Sequence, residues 1–195
     1  DVGGGTNEGG SNIGDDPDLY APTSTGSPHD EWTNGSNGYG SDGSYASAAT
    51  AGFRQSYADF GLTALAGESI DGIEVKLEAS AVTGTGTIQV ALSWNTGTNV
   101  TSVITTAELT GTDTVYTLGG PSNKWGRTWS ISEFSDTNFR VRVIAQPAGN
   151  TLQIDDIQVK IYRSTGGGGA GGGGEVQVPP DEYYAHALAS LSDSL

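Results

Sequence analysis

The stretch that decides the fold is IEVKLE at residues 73–78, in which apolar and charged side chains alternate strictly. Three further stretches follow the same rule, namely IQVALSW at 88–94, FRVRV at 139–143 and IQVKIY at 157–162. A period of two places successive side chains on opposite faces of a β-strand. These four segments are therefore predicted as strands with one buried and one solvated face.

The apolar members of this pattern form the predicted core, which includes Leu77, Val90, Leu92, Val141, Val143 and Val159. Shorter β-rich candidates lie at 57–62, 100–105 and 114–118, and glycine-containing turns separate the segments. Residues 129–134 have room for one helical turn, and no helical period occurs between the strands. About eight short strands of this kind predict an all-β fold, an antiparallel β-sandwich of the jelly-roll type.

The ends of the chain differ in composition from its middle. Of 31 glycines, 19 lie outside residues 51–163, whereas all eight Lys and Arg lie inside that range. We therefore divide the chain into a Gly/Asp-rich N-terminal arm (1–31), the sandwich (32–163), a Gly-rich linker (164–174) and a C-terminal attachment segment (175–195). The last segment contains a predicted short helix at 181–191, which follows a proline and has two acids at its start.

Composition also excludes several functions. The net charge is −15, with no Lys/Arg run, which argues against nucleic acid or an anionic membrane as a partner. The chain has no Cys, and its two His, His29 and His186, both lie in the predicted terminal segments, so a Ser-His-Asp triad or a multi-histidine metal site has no core residues to use. We therefore predict a non-enzymatic protein without an organic cofactor.

Asp155 and Asp156 interrupt the alternation of the last long strand with one extra acid. One interpretation is a Ca²⁺ site, because Ca²⁺ takes several carboxylate and carbonyl oxygens. The other is a β-bulge, or an aspartate that caps neighbouring backbone N–H groups. Adjacent side chains of a strand point to opposite faces, so only one of the two carboxylates could bind such an ion.

Two tryptophans, Trp125 and Trp129, follow the turn at 119–121 and do not continue any alternating pattern. Their flat apolar rings with a polar N–H could form a platform on which a sugar stacks. The competing interpretation is that they pack in the core or cover its edge.

The terminal segments contain a few apolar residues between glycines and acids. We predict that these act as attachment anchors: Ile13, Leu19, Tyr20, Val176, Val178, Tyr183, Tyr184, Leu188 and Leu191. An arm of this kind binds by placing a few side chains in pockets while the rest of the arm becomes ordered.

Several of these stretches together resemble a β-sandwich domain that recurs in virion and tail-associated proteins of tailed phages. They include Trp32, SDGSYA at 41–46, IDGIEV at 70–75, NFRVRV at 138–143 and IDDI at 154–157. The resemblance covers about residues 32–162 and implies a structural or adhesive module without catalytic residues. The last strand, which contains aspartate, is also similar to that of carbohydrate-binding jelly rolls.

The sequence therefore predicts a structural component of a virion, such as a capsid decoration, head-fibre or tail-accessory subunit. Its partners would be other virion proteins or further copies of itself, and its location would be the virion surface. The first alternative is a carbohydrate-binding module of a secreted or surface protein, with a surface glycan as partner. The second alternative is an extracellular filament subunit that assembles by strand addition.

Overall fold

The computed structural model describes residues 19–62 and 68–165, which form two packed antiparallel sheets. The five-stranded sheet has the order β1-β3-β8-β5-β6, and the four-stranded sheet has the order β2-β9-β4-β7. The predicted all-β sandwich is thereby confirmed. The strands are β1 Ser24–Asp30, β2 Ala46–Ala48, β3 Arg54–Ala58, β4 Glu68–Ala81, β5 Gly86–Ser93, β6 Ile104–Thr105, β7 Thr114–Gly120, β8 Arg140–Pro147 and β9 Leu152–Thr165.

The core lies between the two sheets, where the alternation predicts it. All six predicted core residues are fully buried, and they come from β4, β5, β8 and β9. In β8, Val141 and Val143 point inward while Arg140 and Arg142 point to the outer face of the five-stranded sheet. The period of two therefore decides which face of each long strand is apolar.

The structure places the last part of the predicted N-terminal arm in the sandwich. β1 pairs with β3, and its Ser24 lies opposite Ala58, so residues 24–30 form an edge strand of the five-stranded sheet. The side chains of β1 are polar and mostly not buried, so this strand carries no apolar alternation that could reveal it. At the other end, β9 continues to Thr165, two residues into the predicted linker.

Buried polar contacts hold the end of β1 against β3. Gln55 is fully buried, its Nε2 donates to Asp30 Oδ1 at 2.9 Å, and its Oε1 accepts from Trp32 N at 3.3 Å. A buried amide needs such partners because a lost hydrogen bond in the interior is costly. The chain that follows β1 is thus fixed at the edge of the sandwich.

The predicted helical turn at 129–134 is present as a short 3-10 helix, Ile131–Phe134, with a capping box between Ser130 and Glu133. A second 3-10 helix, Gly35–Gly38, lies between β1 and β2. Within the described residues, none of the helices has the length and apolar character needed to span a membrane.

Candidate functional site

A groove of about 330 Å³ lies where the chain leaves β1, beside the turn that joins β2 to β3. Ser47 and Ala48 of the lining lie in β2 of the four-stranded sheet, whereas Phe53 directly precedes β3 of the five-stranded sheet. The lining residues are Glu31, Thr33, Ser47, Ala48, Ala49, Thr50, Phe53 and Thr151. One aromatic ring, one carboxylate and several hydroxyls therefore meet at one place.

Phe53 supplies the aromatic ring, and 37% of the residue is exposed. Its carbonyl oxygen is held by two hydrogen bonds, from Ala145 N at 2.8 Å and from Trp32 Nε1 at 3.1 Å. The preceding Gly52 has a φ of +84°, a conformation that favours glycine and turns the chain into β3. The exposed ring therefore stands on a well-anchored turn.

Glu31 supplies the carboxylate. Its Oε2 accepts from Arg54 N at 2.9 Å, and its Oε1 lies 3.2 Å from His29 Nδ1. The hydrogen bond from Arg54 N holds the pKa of Glu31 below its usual value, against the opposing effect of partial desolvation. The groove therefore carries a negative charge over the neutral pH range.

The hydroxyls lie on segments that backbone hydrogen bonds fix in place. Thr33 and Ser47 form an isolated antiparallel bridge, with N–H to carbonyl distances of 2.9 and 3.0 Å. Thr50 accepts from Phe53 N in the β2–β3 turn, and Thr151 immediately precedes β9. Each hydroxyl can both donate and accept a hydrogen bond.

Neither tryptophan proposed as a stacking platform has an open ring face. Trp125 is 3% exposed, and its Nε1 donates to Ile73 O at 2.9 Å. Its ring packs on Gly119, where an added Cβ would lie 2.8 Å from Trp125 Nε1. Trp129 is 6% exposed. The structure therefore supports the core interpretation for both residues, because their rings cover the end of the apolar interior.

Trp129 belongs to what we call the aromatic cluster, formed by Trp94, Arg127, Trp129, Phe134 and Phe139. The Arg127 guanidinium lies 3.9 Å from the centre of the Trp94 ring and 4.4 Å from that of Trp129. Its Nη2 also donates to Glu133 Oε1 at 2.8 Å. The ring of Trp129 is thus enclosed by Trp94, Arg127 and the two phenylalanines.

Asp155 is the extra residue of a β-bulge, as one of the two interpretations proposes. The β4–β9 register shifts between Glu78, opposite Asp156, and Ala79, opposite Ile154. Asp155 Oδ1 accepts from Asp42 N and Gly43 N, both at 3.2 Å. The carboxylate therefore caps the loop that precedes β2.

Asp156 lies on the outer side of the same strand and is 1% exposed. Its Oδ2 accepts from Gln158 Nε2 at 2.9 Å. Burial, together with the charge of Glu78, raises the pKa of Asp156 to about 7. Within residues 19–62 and 68–165, no three His, Cys, Asp or Glu residues are arranged to hold a metal ion. The Ca²⁺ interpretation thus stays a prediction, without a ligand set in this part of the chain.

Of the predicted attachment residues, Leu19 and Tyr20 lie in the described part. Tyr20 N donates to Val159 O and Val159 N donates to Tyr20 O, both at 2.9 Å, and the Tyr20 side chain packs against the core. Tyr20 is therefore bound within its own sandwich. Ile13, Val176, Val178, Tyr183, Tyr184, Leu188, Leu191 and the predicted C-terminal helix lie outside the described residues.

The sequence analysis missed Phe53 and Glu31. Phe53 has the same parity as the buried Gln55 and Tyr57, so alternation alone would assign it to the inner face. It is exposed because it precedes the first residue of β3 and lies in the turn. The signal that could have drawn attention to it is an aromatic residue directly after the turn glycine Gly52.

The likeness of this chain to known proteins is limited to solved structures. Neither the protein-family models nor the curated proteins gave a match. Among solved structures, the chain is similar to a truncated AlyQ with CBM32 and alginate lyase domains, at 12% identity and a TM-score of 0.41. That match covers 75% of this chain and 33% of AlyQ, so the chain spans about a third of that protein.

Two further solved structures are similar over most of their length. The CBM32 of AlyQ in complex with 4,5-unsaturated mannuronic acid matches at 14% identity and a TM-score of 0.42, covering 72% of this chain and 96% of that one. The CBM22-1 xylan-binding domain of Paenibacillus barcinonensis Xyn10C matches at 8% identity and a TM-score of 0.34, covering 75% and 94%. All three are, or contain, carbohydrate-binding modules. They give no support to the resemblance to phage virion domains, and at these TM-scores they carry no argument about a ligand.

Proposed function

We propose that this chain is an extracellular carbohydrate-binding module whose ligand site is the groove beside Phe53. The observation that carries the proposal is a 37%-exposed aromatic ring next to a carboxylate and hydroxyls in one groove. Sugars combine apolar C–H faces with a ring of hydroxyls. A site of this kind needs a flat apolar surface and a few placed polar groups.

The polar groups of the groove suit sugar hydroxyls. Ionised Glu31 can accept two or more hydrogen bonds, and its lowered pKa keeps it an acceptor at neutral pH. The hydroxyls of Thr33, Ser47 and Thr151 can take either role in a hydrogen bond. The volume of about 330 Å³ lies at the small end of the range for ligand sites, which favours a short saccharide or a chain end.

The groove is better suited to binding than to glycoside hydrolysis. Hydrolysis ordinarily uses two carboxyl groups that flank the scissile bond. Among the residues that line the groove, Glu31 is the single acid. A second carboxylate positioned for a general acid or a nucleophile is therefore missing from this lining.

The virion role predicted from the sequence depends mainly on terminal segments outside the described residues. Its one anchor whose contacts are described, Tyr20, pairs with Val159 of the same chain. We therefore place glycan binding ahead of the virion role, and the filament alternative stays a prediction.

The proposal can be tested by affinity electrophoresis of the full chain in gels that contain soluble polysaccharides. We expect at least one polysaccharide to retard the wild type, and Phe53→Ala and Glu31→Gln to weaken binding about tenfold or more, as for a central contact residue. Val103→Ala is the matched control, because Val103 is also apolar and 43% exposed but does not line the groove. Retardation of Phe53→Ala equal to that of the wild type would refute the proposed site.

A further inference from the structure

The outer face of the five-stranded sheet carries three of the eight basic residues of this acidic chain. Arg140 and Arg142 lie on β8. Arg54 lies on β3, two residues before Ser56, which is paired with Arg142. Such diagonal neighbours on one face are close enough for long side chains to interact. These three arginines therefore lie on the same side of the sandwich.

Arg142 differs from most arginines because it is only 9% exposed. Its Nη2 donates to Gly97 O, and this is its one hydrogen bond to the described residues. Burial, and then the charge of Arg54, lower the pKa of Arg142, while Glu31 offsets part of this effect. No carboxylate of the described residues lies within ion-pair distance of its guanidinium. A buried charge without a counter-charge is costly, so this position favours an anion.

Two buried polar atoms on this face lack hydrogen-bond partners among the described residues. Ser56 is directly paired with Arg142 across the β3–β8 ladder and is 1% exposed. The Ser56 Oγ and the Arg142 Nε both lack a hydrogen-bond partner among the described residues. Buried polar atoms are ordinarily paired, so two adjacent donors on one face point to a shared acceptor.

Arg140 serves as an internal comparison on the same strand. Its Nη1 donates to Asp136 O and to Phe139 O, both at 2.7 Å, so its guanidinium stabilises the chain that enters β8. Arg142 has a single contact of this kind, although it is more buried. The Nε of Arg140 also lacks a partner, but the Arg140 guanidinium has two acceptors and the Arg142 guanidinium has one, so the shortage of acceptors is greater at Arg142.

Gly97 and Pro28 lie over one side of Arg142, and the exposed Arg54 lies on its solvent side. Gly97 lies against Pro28, since a Cβ at Gly97 would be 2.3 Å from Pro28 Cδ and 3.6 Å from Arg142 Nη2. Arg54 is exposed, and it directly follows Phe53 of the groove. A group bound here would contact Arg54 on the solvent side and lie near the groove.

We propose that Arg142, Ser56 and Arg54 form a subsite for an oxyanion, which is the carboxylate or sulfate of an anionic saccharide held in the adjacent groove. Two arginines supply charge, and Ser56 Oγ and Arg142 Nε supply donors to the same oxyanion. The assignment of the anion to a saccharide rests on the proposed function, whereas the oxyanion subsite itself does not depend on that function. Inorganic phosphate shares this chemistry and serves as the first probe.

The first experiment measures the melting temperature of the full chain as sodium phosphate replaces sodium chloride at constant ionic strength. With phosphate about tenfold above its Kd, we expect a rise of roughly 3–6 °C. Arg142→Gln and Ser56→Ala should remove this rise, and Arg54→Gln, an exposed position, should reduce it. Lys124→Gln is the matched control for the lost charge, because Lys124 is exposed and remote from β3 and β8 in sequence.

The second experiment identifies the source of the anion. A uronic-acid oligosaccharide is compared with the same oligosaccharide after reduction of its carboxyl groups, using isothermal titration calorimetry. We expect the wild type to prefer the acidic form at least fivefold, Arg54→Gln to remove this preference, and Phe53→Ala to weaken binding of both forms.

The outcomes separate the two proposals. The oxyanion subsite is overturned if phosphate does not raise the melting temperature of the wild type. It is also overturned if the rise in Ser56→Ala and Arg54→Gln is as large as in the wild type. A specific rise without any preference for the acidic oligosaccharide supports the subsite and overturns the saccharide as its source. A specific rise in a protein that binds no glycan refutes the proposed function and leaves the oxyanion subsite standing.

Discussion

The two aromatic regions of this molecule lie towards opposite ends of β8 and differ in their relation to solvent. Phe139 belongs to the aromatic cluster, directly precedes β8 and is 1% exposed. Phe53 lines the groove, its carbonyl accepts a hydrogen bond from Ala145 N near the other end of β8, and it is 37% exposed. In the cluster, an arginine and further rings cover the aromatic faces. The tryptophan-rich segment of this protein therefore stabilises the fold, whereas a single phenylalanine presents an aromatic ring to solvent.

The largest expected effect separates these two regions by stability. Trp129→Ala should lower the free energy of unfolding by about 3–5 kcal/mol, because it leaves a cavity among buried rings. Phe53→Ala should cost about 1 kcal/mol or less, since a partly exposed ring loses little burial. Urea unfolding followed by tryptophan fluorescence measures both free energies. Equal losses in the two variants would show that the two rings contribute equally to stability, contrary to this prediction.

The second prediction concerns the charge that covers the cluster. Arg127→Met should lower the free energy of unfolding by about 1–2 kcal/mol, because it removes a guanidinium over two rings and a bidentate pair with Glu133. Arg54→Met is the matched control, since Arg54 is exposed and covers no ring. A stability of Arg127→Met equal to that of the wild type would mean that the cation does not close the cluster.

The third prediction concerns the pH dependence of two carboxylates, Glu133 beside the aromatic cluster and Glu31 in the groove. Burial raises the pKa of Glu133, but Arg127 and the Ser130 N–H outweigh it, so the pKa is lowered from 4.5 overall. The stability that Glu133 contributes is therefore present above about pH 4.5 and is lost as pH falls through the lowered pKa. Glu133→Gln should flatten part of the acid limb of a stability–pH curve measured by thermal unfolding.

For the groove, the corresponding carboxylate is Glu31, whose pKa is also lowered from 4.5, by the hydrogen bond from Arg54 N. Glycan affinity of the wild type should therefore persist below pH 4.5 and fall only as Glu31 becomes protonated. Glu31→Gln should show a lower affinity without this acid limb. An identical pH profile of affinity in wild type and variant would exclude Glu31 from the binding site.

The smallest expected effect is that of a chelator. Asp155 caps backbone N–H groups, and the described residues hold no cluster arranged for a metal ion. Because an ion bound only by the folded state raises stability, its removal would lower the melting temperature. We expect no change on adding chelator, and a fall that added Ca²⁺ reverses would restore the Ca²⁺ interpretation.

Much of the sandwich could be predicted from sequence because the long strands have one apolar and one polar face. The positions of Val141 and Val143 follow from this alternation alone. β1 could not be predicted, because an edge strand with solvated side chains leaves no apolar period. The bulge at Asp155 was visible as one extra residue, but the backbone N–H groups that its carboxylate caps belong to Asp42 and Gly43, which no local pattern connects with it.

The candidate site depends on the tertiary structure in a different way. Glu31, Ser47 and Thr151 come from three segments that are distant in sequence and polar in ordinary ways, so no local pattern marks them. Trp125 and Trp129 were chosen because they fall outside the strands, but exposure depends on what packs over a ring. Arg142 likewise follows a regular alternation, and its burial is caused by the Gly97 loop folding over the sheet.

Four features follow directly from the amino-acid sequence: the fold class, the inward faces of the long strands, the helical turn at 129–134 and the exclusion of cysteine chemistry. These features depend on local periodicity and composition, which a single chain displays directly. Only the tertiary structure decided which aromatic ring remains open, where the carboxylate and hydroxyls converge and which arginine is buried without a counter-charge. The physical reason is that burial and electrostatic environment are set by contacts between segments far apart in the chain.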